Sequence, residues 1–210
     1  MSDPLVEELL EGLYVREVEQ GGAAGQRLTD GPALRAALSE GFVELLDGAC
    51  ILTARGREAG RDVVRRHRLA ERLLRDVLAA PREYMEEDAC GFEHVLLHGL
   101  DEKVCALLGH PSHCPHGRPI PEGECCRKAR ADHVREVGPL SEARPDAEGV
   151  IAYLRTRDSR EVQKLMAMGV LPGTRIKLLQ RFPSFVFQIG FSQFTVDREL
   201  ADAVLVRWKV

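Results

Sequence analysis

REAGRDVVRRHRLAERLLRDVLA, residues 57–79, is the stretch on which the fold turns. Val64, Leu69, Leu73, Leu74 and Val77 supply an apolar side at helical spacing, which predicts one long amphipathic helix. Pro81 ends it, because proline cannot continue the hydrogen-bond ladder. Within the helix, His67 and Glu71 stand four residues apart and therefore share a face. On an arginine-rich helix such a pair can be an exposed ion pair.

The next segment, DACGFEHVLLHG at 88–99, places Cys90, Glu93 and His94 at i, i+3 and i+4. On a helix they project together, each with a group that binds divalent transition metals. A second helix is expected over 82–97 and a third over 99–108, closing at Gly109. HPSHCPHGRPIPEGECC, 110–126, carries four prolines and reads as an irregular loop. Five of the six cysteines and six of the seven histidines, His133 included, fall between 90 and 133. His113, Cys114, His116, Cys125 and Cys126 are therefore a candidate second site for zinc or an iron–sulfur cluster. The C-x-x-C spacing typical of zinc is absent, so free or redox-active thiols remain the alternative.

Upstream, Leu5, Leu9, Leu10, Leu13 and Val18 predict a helix from Pro4 to Glu19, ended by Gly21-Gly22. Asp30 is expected to cap a second helix with Pro32 in its first turn, stopping at Gly41. FVELLDGACILT, 42–53, reads as two strands around Asp47-Gly48, a strong hairpin signal. Helix followed by hairpin is the outline of a reduced winged helix. Downstream, PLSEARPDAE at 139–148 reads as an exposed linker. EGVIAYLR, TRIKLLQRF, SFVFQIGFSQFTV and AVLVRWKV are strand-like, with one helix, SREVQKLMAMG, among them. Several short strands in sixty residues predict a small closed barrel.

Composition narrows the function. A 44% hydrophobic and 30% charged chain is that of an ordinary globular protein. No apolar run approaches the roughly 20 residues of a bilayer crossing, so membrane insertion is not expected. The acidic start MSDPLVEELLEG lacks the features of a signal peptide, which predicts a cytoplasmic protein with ligand or free cysteines. No phosphate-binding glycine loop or nucleophile–base pairing points to an enzyme. Charge is uneven: residues 1–50 hold 3 Arg against 10 Asp and Glu, a net −7, while 51–80 hold 8 Arg against 4 acids, a net +4.

RRHRLAERLLRDVL, EDACGFEHVL and LLGHPSHCPHGRPIP together resemble the diphtheria toxin repressor family of metal-dependent transcriptional regulators. LMAMGVLPGTRIKLL and FQIGFSQFTVDRELADAVLV resemble the SH3-like domain of the ferrous-iron-transport A type. The resemblance covers roughly 57–121 and 150–210, whereas the first fifty residues match in outline only. It implies an α+β protein with a reduced winged helix over 1–56 and a helical metal-binding and dimerisation domain with a Cys/His-rich loop over 57–138. A linker at 139–149 and an SH3-like small β-barrel over 150–210 would complete it.

The resemblance further implies a primary metal site of Cys90, Glu93 and His94, and an ancillary site that includes His67 and Glu71. Two positions depart from the family pattern. Glu86 stands where the ancillary site has a histidine, and Glu8 is the residue of the N-terminal helix able to join the primary site. A thiolate ligand favours Fe(II), with Mn(II) or another divalent transition metal as the alternative. The expected partners are a second copy, forming a homodimer through the helices of 57–108, and double-stranded operator DNA. Arg35 on the presumed recognition helix, with Arg55 and Arg57 after the hairpin, are the candidate DNA contacts; Arg61, Arg65, Arg66 and Arg68 extend the positive run. The acidic N-terminus leaves a second expectation open, a metal sensor without operator binding that acts on an iron-transport protein.

Overall fold

The computed structural model describes residues 3–22, 30–78, 80–131, 137–156 and 158–208. His133 and the expected helix end at Ala79 lie outside them. The N-terminal part runs α1 (Pro4–Tyr14), one wider turn of π-helix (Val15–Glu19), α2 (Pro32–Ser39), β1 (Val43–Leu46) and β2 (Ala49–Leu52). Asp47 and Gly48 both have positive φ, 52° and 76°, as a two-residue hairpin turn requires. Val6, Leu10 and Leu13 of α1 bury against Leu34, Ala37, Phe42, Cys50 and Leu52, giving the winged helix its own core. Asp30 does not cap α2. Gly31 occupies that position with no side-chain cap, and Asp30 instead pairs with Arg35 at 2.9 Å.

Helix α3 (Ala54–Asp76) starts at Thr53, whose hydroxyl accepts the Gly56 N–H at 3.1 Å. It is the spine of the molecule, packed by α1 on one side and α4 (Met85–Glu93) on another. Gly60 makes the first contact possible. A Cβ there would lie 2.7 Å from the Leu10 carbonyl oxygen and 3.0 Å from Tyr14 Cβ, so α1 and α3 touch backbone to side chain. Enclosure on several sides explains why the polar face of α3 is not solvated: Arg65, His67, Arg68 and Glu71 are all buried.

The second expected helix is shorter than read, a 3-10 turn (Arg82–Tyr84) leading into α4. Helix α5 (Leu100–Leu107) ends as expected at Gly109, in the left-handed region at φ 74°. The Gly109 N–H bonds the Ala106 carbonyl and the His110 N–H bonds the Cys105 carbonyl at 2.9 Å, a Schellman cap that folds the chain back on the helix. The expected loop is irregular only to Gly123. Cys125 and Cys126 lie in the first turn of α6 (Glu124–Ala131).

The C-terminal part is a six-stranded antiparallel sheet, consistent with an SH3-like barrel, in the order β3-β8-β4-β5-β6-β7. Its strands are β3 (Val137–Pro139), β4 (Glu148–Leu154), β5 (Arg175–Gln180), β6 (Phe185–Ile189), β7 (Ser192–Val196) and β8 (Val204–Trp208). Helices α7 (Ser159–Ala167) and α8 (Arg198–Ala203) connect them; α8 falls between two strand-like segments and was not expected from the sequence, and Asp197 caps it by accepting the Leu200 N–H. The expected exposed linker at 139–148 is not one. It comprises the end of β3, a 3-10 turn over Leu140–Glu142 and the start of β4, with Leu140, Ser141 and Ala143 buried.

Nor does the barrel hang free. Val204, Val206 and Ile151 face its interior, while Leu205, Tyr153 and Val137 join Leu69, Leu74, Cys105 and Leu108 in the helical core. A bulge between Ile151 and Tyr153 puts these two residues on opposite faces despite their spacing of two.

Candidate metal centre

Three helices bring oxygen, nitrogen and sulfur donors to one place. Glu7, Glu8 and Glu11 follow one another at helical spacing on α1, which Gly60 lets lie directly on α3. His67 and Glu71 meet them from α3, and Glu86, Cys90 and Glu93 from α4, with His94 at its C-cap.

The donors form linked groups rather than the two sets expected. Ligand atoms of Glu8, Cys90 and His94 lie within 4.8 Å of one another, as do those of Glu11, His67 and Glu93, and those of His67, Glu71 and Glu86. Glu93 joins the groups: its Oε2 is 2.6 Å from His67 Nδ1, and its Oε1 is 3.8 Å from His94 Nε2. The Cys90 thiol donates to Glu8 Oε1 at 3.7 Å. Glu11 was missed in the sequence, although its position three residues after Glu8 was the signal. Glu7 was missed too. It accepts from His94 Nδ1 at 2.7 Å and is held by Arg66 Nη2 at 2.9 Å, which fixes the imidazole with Nε2 toward Glu93.

Electrostatics identify what this arrangement lacks. Glu93 is wholly buried, yet its Oε1 has no hydrogen-bond partner, and the same is true of Glu71 Oε2. Buried carboxylate oxygens without donors are costly unless a cation meets them. Burial works against charging His67, but the hydrogen bond to Glu93 and the carboxylates of Glu11, Glu93 and Glu71 outweigh it and raise its pKa. Burial, with the charges of Glu93 and Glu8, pushes the Cys90 thiol up to about 11. Burial also raises Glu11, against the pull of His67. A divalent cation reverses each of these penalties, so the donor set fits one.

The residues of the proposed loop site separate. Cys114 and His116 face Glu71, with His116 Nδ1 2.7 Å from Glu71 Oε1, so they border the centre on α3. His113 hydrogen-bonds Ser112 at the surface. Cys125 and Cys126 instead approach Cys105 and His110, neither of which the sequence reading had counted as a ligand.

The positive run also divides. Arg65 pairs with Asp101 at 3.2 Å, Arg66 with Glu7, and Arg68 with Glu19 at 2.6 Å, all internal ion pairs rather than a surface. Arg61 is held beside Asp62 and by the Glu122 carbonyl. Arg55 donates to the Glu40 carbonyl at 2.7 Å and stacks on Phe42, with its guanidinium 4.7 Å from the ring centre. Arg57 and Arg35 are exposed.

Comparison with known proteins matches residues 53–122 to the family described as iron dependent repressor, metal binding and dimerisation domain, and residues 138–207 to the FeoA domain. The iron-dependent repressor IdeR of Mycobacterium leprae is 32% identical over 169 residues, covering 74% of this chain and 71% of that protein. The diphtheria toxin repressor of Corynebacterium jeikeium is 29% identical over 178 residues, covering 76% and 74%. Among solved structures, a manganese-dependent transcriptional repressor in complex with manganese aligns over 97% of this chain and 100% of its own, at 23% identity and a TM-score of 0.46.

Proposed function

Because this chain belongs to the iron-dependent repressor family of metal-dependent transcriptional repressors, we propose that it is an Fe(II)-responsive regulator that binds operator DNA as a dimer. The observation that carries the reading is the buried Oε1 of Glu93, without a hydrogen-bond partner and 3.8 Å from His94 Nε2, on a carboxylate whose other oxygen meets His67. Glu8, Cys90, Glu93 and His94 would hold one ion, with Glu11 beside them. His67, Glu71 and Glu86 would hold a second, with His116 and Cys114 at its edge. Cys90 supports iron over manganese, although five carboxylates also suit Mn(II). Bound metal supplies the positive charge that the crowded carboxylates need.

The same geometry suggests how occupancy reaches DNA. Glu8 and Glu11 belong to the winged helix, and the other donors belong to the helical domain. Neutralising their mutual repulsion fixes α1 on α3, and with it the angle at which α2 is presented. Arg35 on α2 and Arg57 at the start of α3 are the proposed phosphate contacts, with Arg55 shaping the turn that carries them. Phe92, Val95 and Leu100, all exposed, are the proposed centre of the dimer face.

A gel-shift series with the protein's own upstream DNA tests the reading. A complex should form with Fe(II) or Mn(II), disappear with chelator, and weaken steeply with salt as phosphate neutralisation releases counterions. Arg35→Ala and Arg57→Ala should weaken it. No complex at low salt with either metal overturns operator binding.

A further inference from the structure

We propose that Cys105, His110, Cys125 and Cys126 form a separate tetrahedral site for a single thiophilic divalent ion, zinc by preference. Their four ligand atoms lie within 4.8 Å of one another. Cys105 Sγ is 3.4 Å from Cys126 Sγ and 3.5 Å from His110 Nδ1, and Cys125 Sγ is 3.9 Å from Cys126 Sγ. With metal–sulfur bonds of about 2.3 Å and metal–nitrogen bonds of about 2.0–2.1 Å, a tetrahedron has edges of about 3.8 Å between sulfurs and about 3.6 Å from sulfur to nitrogen. The observed separations match one ion. An iron–sulfur cluster, which interposes several iron and sulfide atoms, needs thiolates set wider apart.

The fold builds this constellation deliberately. The Schellman cap at Gly109 turns His110 back beside Cys105, one helical turn earlier on α5. Cys125 and Cys126 enter from the first turn of α6, where the positive end of a helix favours thiolate. Arg65, 3% exposed, aims Nη2 at Cys125 Sγ at 3.2 Å, with Nη1 3.9 Å from Cys126 Sγ. Its Nε pairs with Asp101 and its Nη1 also donates to the Pro121 carbonyl. Three thiolates around a divalent ion leave one negative charge, and the guanidinium stands where that charge would fall. A cleft of about 650 Å³, bordered by His110 and Cys126, gives the ion a way in.

The site also accounts for α6. Eight residues are fewer than the roughly 12–15 an isolated helix needs, and none of the eight is fully buried. Its charged side chains pair with one another, Glu124 with Arg127 and Lys128. Metal ligation would supply the folding energy that this apolar-poor segment lacks.

The test uses the full chain carrying Cys90→Ala/His94→Ala together with His67→Gln/Glu71→Gln, purified anaerobically under reducing conditions, so that both ion positions proposed at the Glu93 centre are silenced. Co(II) should give thiolate charge-transfer and intense tetrahedral ligand-field absorption, saturating at one ion per chain and displaced one for one by Zn(II). X-ray absorption at the zinc edge should count three sulfur neighbours and one nitrogen, with no change made to the cluster. Adding Cys125→Ser/Cys126→Ser should abolish the Co(II) spectrum. Absence of the spectrum in the parent, a sulfur count of one or none, or thiol titration revealing a disulfide among these cysteines would each overturn the proposal. None of these outcomes bears on the centre at Glu93.

Discussion

Glu93 Oε2 lies 2.6 Å from His67 Nδ1, and the other oxygen of the same wholly buried carboxylate has no hydrogen-bond partner. One oxygen is thus held by α3, and the other is buried without a hydrogen bond, as the proposed metal site requires. Glu93→Gln keeps the shape and removes the charge. It should lower Mn(II) or Co(II) affinity at least about 100-fold, the scale of losing a well-supported ligand. The metal-free variant should melt no lower than the parent, since a buried charge that is incompletely compensated has been removed. Calorimetric titration and thermal melts in chelator check both halves.

Glu7 touches the centre at His94 and, through Arg66, at the Glu93 carbonyl. Glu7→Gln should therefore weaken metal binding by about 10–100-fold, the usual effect of loosening a ligand's support, while leaving metal stoichiometry unchanged. Co(II) titration followed by absorption separates the two quantities.

The raised pKa of Cys90 sets the sign of a pH effect. With its thiol pushed up to about 11, Cys90 is protonated at neutral pH in the metal-free protein and must lose that proton to ligate. Lowering the pH lets the proton compete, so affinity falls as pH falls. Between about pH 6 and 8 this group should contribute about a tenfold change in Kd per unit. Cys90→Ser should flatten that dependence, measured as Kd against pH.

Gly60→Ala tests the close approach of α1 and α3. The added Cβ, 2.7 Å from the Leu10 carbonyl oxygen, must push α1 away, at a cost of about 1–3 kcal/mol typical of overpacking. Metal affinity should fall as well, because Glu8 and Glu11 travel with α1. Gly12→Ala, where a Cβ meets nothing within 4 Å, is the control and should change neither.

Tyr153 tests the union of barrel and helices. Tyr153→Ala removes a buried ring from the shared core and should cost about 3 kcal/mol. The parent should unfold in one calorimetric transition and the variant in two, as the barrel comes free.

Periodicity made much of this legible. The long helix, the Asp47-Gly48 hairpin and the strand-rich C-terminus follow from local pattern, and so does the shared face of Cys90 and His94. What stayed hidden depended on distant neighbours. The arginines of α3 look like a solvated face until Glu7, Glu19 and Asp101 arrive to bury them. Cys105 looks like a core residue because Cys125 and Cys126 reach it from another helix and His110 only through the turn after α5. The polar stretch at 139–148 carries too few apolar residues to display a period, yet Leu140 and Ala143 are buried.

The bulge in β4 makes chain length itself a carrier of information. By breaking the alternation between Ile151 and Tyr153, a single strand feeds side chains into two cores at once. Were Ala152 drawn into the regular ladder, Tyr153 would share the face of Ile151 and turn into the barrel, away from Leu69, Leu74 and Leu108. At this point the molecule depends on where the irregularity sits more than on the side chain that occupies it. An exchange of side chain alters one contact, whereas straightening the bulge would reverse every side chain on one arm of the strand.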